Sequence, residues 1–274
     1  MYERYWRLQR PAFRSQATTE FFFAGPSQRA ALLKLKYLVE QRQGIAVVTG
    51  QAGVGKTFLL ESFRSQLPVS TGPIVDVLFP QLTSEELLGY VSAKLQDGAS
   101  DTERSTDRLD RVLRRLELQL GNWTQQGRHP LLFIDDAQLI EDQHIFHTLH
   151  QVLNYRRAGG PDFSIVLSGQ PELVGQLRRH PALYERLAFV CAVQPLTAEE
   201  TSQYVRFRLQ AAGATAEIFD AAALETIHQL SHGLPRRINR LCDFALLVGY
   251  ADQLERISPT EVQAVAAELC PVAA

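Results

Sequence analysis

The chain has 274 residues, 45% hydrophobic and 21% charged, with 17 glycines and 13 prolines. Such a composition is ordinary for a globular protein and excludes a disordered or fibrous chain. With 28 basic and 30 acidic residues the formal net charge is −2, which removes a global electrostatic case for nucleic acid and leaves only a local patch open.

Residues 1–26 are rich in aromatics and interrupted by Pro11 and Pro26, which reads as an extended segment packing on a core. From Ser27 the spacing of Ala31, Leu32, Leu35, Leu38 and Val39 predicts a helix that ends at Gly44. Buried strands are predicted at 45–48, 73–79, 130–134, 163–167 and 189–193. Between them, Thr83 and Glu86 form a capping-box pattern that opens a helix to about residue 96. Further helices fit 107–125, 143–156 and 171–179, and the polar stretch 97–106 reads as an exposed loop. Strand alternating with helix predicts an α/β fold, a five-stranded parallel sheet between helices. After Pro195 no strand pattern follows. Thr197 with Glu200 caps a helix to about residue 212, and others fit 220–231, 235–251 and 259–269, the last with Ser258 as cap and Pro259 at its first position. The domains are therefore expected at 1–26, 27–195 and 196–274, the last a small all-helical lid.

Directly after the first strand stands Gly50-Gln51-Ala52-Gly53-Val54-Gly55-Lys56-Thr57, a full match to the phosphate-binding P-loop pattern. Small residues let successive backbone N–H groups turn toward phosphate oxygens, and the dipole of the following helix adds to that field, so residues 50–57 together with Phe58 are expected to bind the nucleotide. Lys56 can reach the β- and γ-phosphates, and the Thr57 hydroxyl can ligate Mg²⁺. The third strand runs into Asp135-Asp136-Ala137-Gln138. An acidic pair at the end of a buried strand is costly unless a cation or water needs it. Beside a P-loop, Asp135 is expected in the Mg²⁺ shell, while Asp136 orients and deprotonates the attacking water. A helix N-cap pair is the alternative. In the fold that a P-loop implies, the fourth strand lies between the first and third, which aims Gln170 at the γ-phosphate. A turn residue is the alternative there. Arg186 and Arg236 can supply positive charge, although arginines more commonly face solvent.

Together these segments resemble an AAA+ ATPase, and more closely the ExeA/GspA-type ATPases of general secretion pathway loci. The residues that carry the resemblance begin with Tyr5-Trp6-Arg7-Leu8, Pro11 and Phe13, followed by Phe21 to Phe23 before Ser27, and Ala30-Ala31-Leu32. The P-loop, the Asp135-Asp136-Ala137-Gln138 box and Gly169-Gln170-Pro171-Glu172-Leu173 come next. Gly233-Leu234-Pro235-Arg236 with Ile238-Asn239 and Leu241-Cys242-Asp243 complete the set. The resemblance implies that ATP and Mg²⁺ are the cofactors. It makes Gln170 the sensor-1 polar group, Arg236 the sensor-2 arginine and Arg186 a finger offered to a neighbouring subunit, hence a homo-oligomer forming a ring or filament with ATP. Where the family usually has Asp-Glu, this chain has Asp135-Asp136, one methylene shorter. A shift of roughly 1 Å in a reacting group can cost about 10²-fold in rate.

Two function classes follow. The first is an ATP-hydrolysing switch or motor acting on a protein partner in a secretion- or pilus-type assembly. The second is an ATP-dependent DNA-binding regulator similar to the transposition ATPases of the TniB/TnsC kind, and a slow-turnover ATP-binding scaffold is a variant motivated by Asp136. The longest apolar runs are far below the roughly 20 residues of a membrane span. The N-terminus lacks a signal peptide's apolar stretch, and Cys191, Cys242 and Cys270 form no Cys-x-x-Cys pair. A cytoplasmic chain with reduced thiols and no transmembrane segment is expected. His144, His147 and His150 recur every third residue, which reads as a polar helix face ahead of a metal site. Arg108, Arg111 and Arg115, interspersed with acids, read as an ion-paired solvent face or else a partner surface.

Overall fold

The computed structural model describes residues 1–14, 19–96, 109–156 and 160–269. The predicted loop 97–106, Arg108 and Cys270 lie outside them. The chain divides into two compact units, one comprising Met1–Gln28, Gln51–Ser62 and Gln194–Ala274, the other Arg29–Gly50 and Phe63–Val193.

The second unit holds the sheet. Its strands are β1 (Ile45–Thr49), β2 (Thr71–Val77), β3 (His129–Ile134), β4 (Ser164–Gly169) and β5 (Leu187–Ala192). All pairings are parallel, in the order β2-β3-β4-β1-β5. β4 therefore lies between the first and third strands, as expected of a P-loop fold. Every residue of β1 and β4 is buried, the pattern of a central parallel strand covered on both faces, in keeping with the apolar runs 45–48 and 165–167. The helices of this unit are α1 (Pro26–Glu40, entering it at Arg29), α3 (Ser84–Lys94), α4 (Leu109–Gln125), α5 (His144–Leu153), α6 (Glu172–Arg178) and α7 (Pro181–Tyr184), while α2 (Lys56–Arg64) ends in it. The capping box of Thr83 and Glu86 is present in both directions. The one-turn α7 is unannounced in the sequence because four residues carry no periodicity. Val112, Leu116, Leu120 and Trp123 are the buried stripe of α4. The Trp123 indole donates to the Leu95 carbonyl at 3.1 Å, so this tryptophan is core.

At the N-terminal edge of the sheet a charge cluster ties distant segments together. Asp162 accepts from Arg42 Nη1 at 2.8 Å and from Arg156 Nη2 at 3.0 Å, while His129 Nδ1 faces it at 3.3 Å. The Ser164 hydroxyl donates to the Gln43 carbonyl and so accepts from His129 Nε2 at 2.8 Å. Burial by itself raises the Asp162 carboxyl, but His129 and Arg156 outweigh it and hold the group down at about 2.

The other unit is helical, with α8 (Ala198–Ala211), α9 (Ala221–Ser231), α10 (Pro235–Ala251) and α11 (Pro259–Leu269). The capping box at Thr197 and Glu200 forms, Asp220 caps α9, and α10 begins with proline. Beyond Pro195 the described residues contain an isolated bridge, Phe219 to Ile257, and no strand. The N-terminal residues fold back in turns at 3–7 rather than running extended, because Trp6, Leu8, Ala12, Phe13 and Phe21 are drawn into this unit's core. Arg208, 3% exposed, fastens them. It donates to the carbonyls of Ala12 (2.7 Å) and Arg14 (2.9 Å) and to the Tyr204 hydroxyl (3.0 Å). Its guanidinium also lies 4.9 Å from the Phe21 ring centroid, so carbonyl dipoles and ring quadrupoles replace water around a buried cation. Burial pushes the thiols of Cys191 and Cys242 up, the environment of unreactive core cysteines.

Two outcomes follow from these charges. The folded-state pKa of Asp162 lies below its unfolded value, so its contribution, about 2 kcal/mol, is complete above about pH 5 and lost as pH falls toward about 2. Urea melts of wild type and Asp162→Asn should differ by that amount at pH 7 and converge near pH 2. Arg208→Met leaves two carbonyls and a hydroxyl without their donor and should cost about 2–4 kcal/mol. Thermal melts read that loss, and an unchanged midpoint contradicts it.

Candidate functional site

The sheet unit brings three strand ends to one edge. β1 runs into Gly50, whose N–H donates to the Gly169 carbonyl at 3.2 Å at the end of β4. Thr49 is in register with Gly169, and Leu167 of β4 with Ile134 of β3. Gly50, Gln170 and the Asp135-Asp136 pair therefore project from neighbouring strands at the same carboxyl edge, where open parallel sheets place their ligands. Asp135 is half-buried and donates its N–H to the Val77 carbonyl at 3.2 Å, while its Oδ1 accepts from the Asp136 N–H at 3.0 Å. Asp136 is exposed and sits in the left-handed region, φ 46° and ψ 38°.

Sequence reasoning missed two participants at this edge. Gln138, quoted only as part of the acidic box, donates from Nε2 to Asp136 Oδ1 at 3.1 Å and accepts on Oε1 from the Gln170 N–H at 2.9 Å. A bond spanning 32 residues leaves no local signal. Asp76 on β2 forms an ion pair with Arg64. Burial pushes its carboxyl up, Arg64 opposes this, and the Asp135 charge adds to the rise. An acid at an alternating strand position could have been noticed in the sequence, but its proximity to Asp135 could not.

Arg186 stands at the opposite edge. It precedes β5, whose Leu187 is in register with Ile45, the first residue of β1. At about 3.3 Å per residue, β1 separates that level from Gly50 by roughly 16 Å. The Arg186 side chain is exposed, donates to Asn154 Oδ1 at 2.6 Å, and lines a cleft of about 400 Å³ with Gln43, Gly44, Leu153, Asn154 and Arg156. Of the histidine row, His147 bonds Gln151 at 3.1 Å. No group of three or more His, Cys, Asp or Glu among the described residues is arranged to hold a metal.

The helical unit carries residues 51–62, hence the glycine-rich loop and the start of α2. Gly53 and Gly55 have φ of +81° and +97°, left-handed conformations that side-chain-bearing residues rarely adopt. They turn the chain so that the Val54 N–H reaches back to the Gln51 carbonyl at 3.3 Å and α2 opens with the Leu59 N–H donating to Gly55 at 2.9 Å. Lys56 is buried and its Nζ donates to the Gln51 carbonyl at 3.2 Å. Thr57 is exposed, and Phe58 packs edge-on against Phe22, 5.4 Å between centroids. Arg236, in the first turn of α10, donates its N–H to the Gly53 carbonyl at 3.2 Å, and a Cβ on Gly53 would come within 3.0 Å of the Arg236 Cβ. Loop and arginine, with Gly53 and Arg236 183 residues apart in sequence, are thus brought together.

A family model described as an AAA domain matches residues 39–177. General secretion pathway protein A of Aeromonas hydrophila is 30% identical over 272 residues, which cover 98% of this chain and 48% of that protein. The chain thus spans about half the length of that relative, and the resemblance drawn from the motifs is borne out. Among solved structures, Cdc6p from Pyrobaculum aerophilum superposes with a TM-score of 0.72 at 17% identity, covering 94% of this chain and 70% of that one. The Aeropyrum pernix ORC2 protein reaches 0.70 at 15% identity, covering 95% and 72%. The Thermotoga maritima RuvB Holliday junction branch migration motor reaches 0.61 at 18%, covering 94% and 73%. Identities this low establish the shared fold, an AAA+ P-loop architecture. With the family model matched across about half of its residues, the chain belongs to the AAA domain family.

Proposed function

We propose that the chain binds and hydrolyses ATP with Mg²⁺ as an oligomeric switch or motor acting on a protein assembly of the secretion type. The observation that carries this reading is the loop 50–57, with two left-handed glycines, a buried lysine and an arginine-bearing helix start bonded to Gly53. The donor set suits a triphosphate with a hard cation: backbone N–H groups and Lys56 for phosphate oxygens, and the Thr57 hydroxyl and Asp135 carboxylate for Mg²⁺. When bound, the cation neutralises charge on the β- and γ-phosphate oxygens. The chain's own groups supply the rest. Lys56 and Arg236 hold the phosphate chain, Gln170 reads its end, and Asp136 accepts a proton from the attacking water. The likeness to General secretion pathway protein A supports the secretion-type partner. No helix among the described residues is long and apolar enough to cross a membrane.

Arg186 completes the site of a second copy. Its position at the edge away from Gly50 suits a partner's phosphate rather than its own, and fingers of this kind are worth about 10³–10⁵ in rate. The assembly is a ring or filament in this reading.

Lys56→Ala should lose tight binding of a fluorescent ATP analogue together with phosphate release. Unchanged affinity and turnover would sink the ATPase reading. A parallel arm passes wild type over duplex DNA at rising salt with and without ATP. Steep salt-dependent retention would move the substrate from protein to DNA.

Arg186→Ala should bind ATP normally yet hydrolyse it poorly, and mixing it with Lys56→Ala should restore part of the activity. Phosphate release per chain should also rise with protein concentration. Flat specific activity down to concentrations where the chain is monomeric overturns the shared site.

A further inference from the structure

The Asp136 carboxylate is exposed, and on a short side chain it would swing if nothing held it. A group that must meet one water along one direction needs something to stop that motion. Three observations converge on the neighbouring carboxamide. Gln138 donates to Asp136 Oδ1 at 3.1 Å, which engages one carboxylate oxygen and leaves the other as an acceptor. At its other end the same carboxamide accepts the Gln170 N–H at 2.9 Å. Its orientation follows from its partners: a backbone N–H can only donate and an ionised carboxylate can only accept, so Oε1 faces Gln170 and Nε2 faces Asp136. Gly169, finally, makes the reach possible. A Cβ there would lie 2.7 Å from Gln138 Oε1 and 2.9 Å from Leu173 Cδ2, contacts that would push the carboxamide away.

We propose that Gln138 is a positioning residue for Asp136, its carboxamide holding the Asp136 carboxylate and the Gln170 backbone in one frame. This rests on the reading of Asp136 as the base that orients water. The frame is itself anchored, since the Gln138 carbonyl accepts from Gln176 Nε2 on α6 at 3.0 Å and the short 3₁₀ turn Ala137–Leu139 carries the residue at a fixed offset from Asp136. The chemistry dictates the residue type. The position needs a donor toward the acid and an acceptor toward the backbone on one rigid plane. Glutamate offers acceptors alone, leucine neither, and asparagine falls one methylene short. The pairing also links the base to the group that reads the phosphate end. A displacement of Gln170 pulls on the carboxamide, and through it on Asp136, so the water is aligned only when Gln170 is in place.

The test compares Gln138→Glu, Gln138→Leu and Asp136→Asn in the full chain. Gln138→Glu keeps the side-chain length and an oxygen for the Gln170 N–H, but turns an acceptor toward Asp136. It should lower kcat by about 10–100-fold, leaving the KM for ATP, the affinity for a fluorescent ATP analogue and the melting temperature near wild type. Gln138→Leu should lose kcat likewise, with a lower melting temperature from the stranded Gln170 N–H. Wild-type kcat in Gln138→Glu, or a parallel loss of nucleotide affinity, overturns the proposal. If Asp136→Asn keeps wild-type turnover, the base reading fails. The positioning contact is then judged without activity, from the side-chain ¹⁵N–¹H resonances of the nucleotide-free chain. The Gln138 carboxamide signal, identified by its loss in Gln138→Leu, should move in Asp136→Ala and in Gly169→Ala. A signal that stays put in both shows that no such frame exists.

Discussion

The arrangement of the sheet unit depends on one pairing, β4 hydrogen-bonded between β1 and β3. Parallel strands are joined by crossovers and not by hairpins, so consecutive strands need not be neighbours. Here β1 is followed in sequence by a strand at the far edge, and the chain works inward through β2, β3 and β4 before β5 closes the other flank of β1. The consequence is positional. The strand that feeds the glycine-rich loop and the strand that carries the acidic pair stand one strand apart, with Gln170 emerging between them. Because all five strands point the same way, these residues share an edge, while Arg186 and the Asp162 cluster are consigned to the opposite one.

The two edges hold their charges differently. At the N-terminal edge, Asp162 joins the loop after α1, the start of β3 and the segment after α5 through charged contacts. There one carboxylate and three basic side chains are packed together. At the C-terminal edge the acids are half-buried or exposed, Asp136 is in a left-handed conformation, and the Gln138 carboxamide bonds both the Asp136 carboxylate and the Gln170 N–H. Local features that cost stability are expected where a group must meet a ligand. The helical unit shows the same division in another form. Arg208 holds the N-terminal residues into its core by hydrogen bonds to carbonyls, whereas Arg236, on α10, keeps an exposed side chain while its backbone meets Gly53.

Thr83 with Glu86 and Thr197 with Glu200 marked helix starts that formed as capping boxes, and 235–251 and 259–269 matched α10 and α11 residue for residue. Strands shifted by one or two residues: 73–79 became Thr71–Val77 and 189–193 became Leu187–Ala192. Both are edge strands, whose ends depend on pairing with a single neighbour. The aromatic N-terminus read as extended because Pro11 and Pro26 break any period. Its turns are imposed by the pocket that receives Trp6 and Phe13.

The sequence by itself determined what is encoded within a few residues: caps, helix faces, the all-buried strands, and the glycine and lysine spacing of the phosphate loop. Each of these depends on contacts or dihedrals spanning four residues or fewer, so a one-dimensional pattern contains them in full. The likeness to a secretion-pathway AAA domain was legible for the same reason, since it is carried by short contiguous boxes. Tertiary structure alone decided which distant groups share a hydrogen bond. Gln138 with Gln170, Asp162 with Arg42, Arg208 with Ala12 and Arg236 with Gly53 are pairings across 32 residues or more. Strand order and register set the first two and the packing of the helical unit the others. The side chains that occupy these positions had many possible partners along the chain, and only the folded backbone, by fixing separation and direction together, reduced them to one.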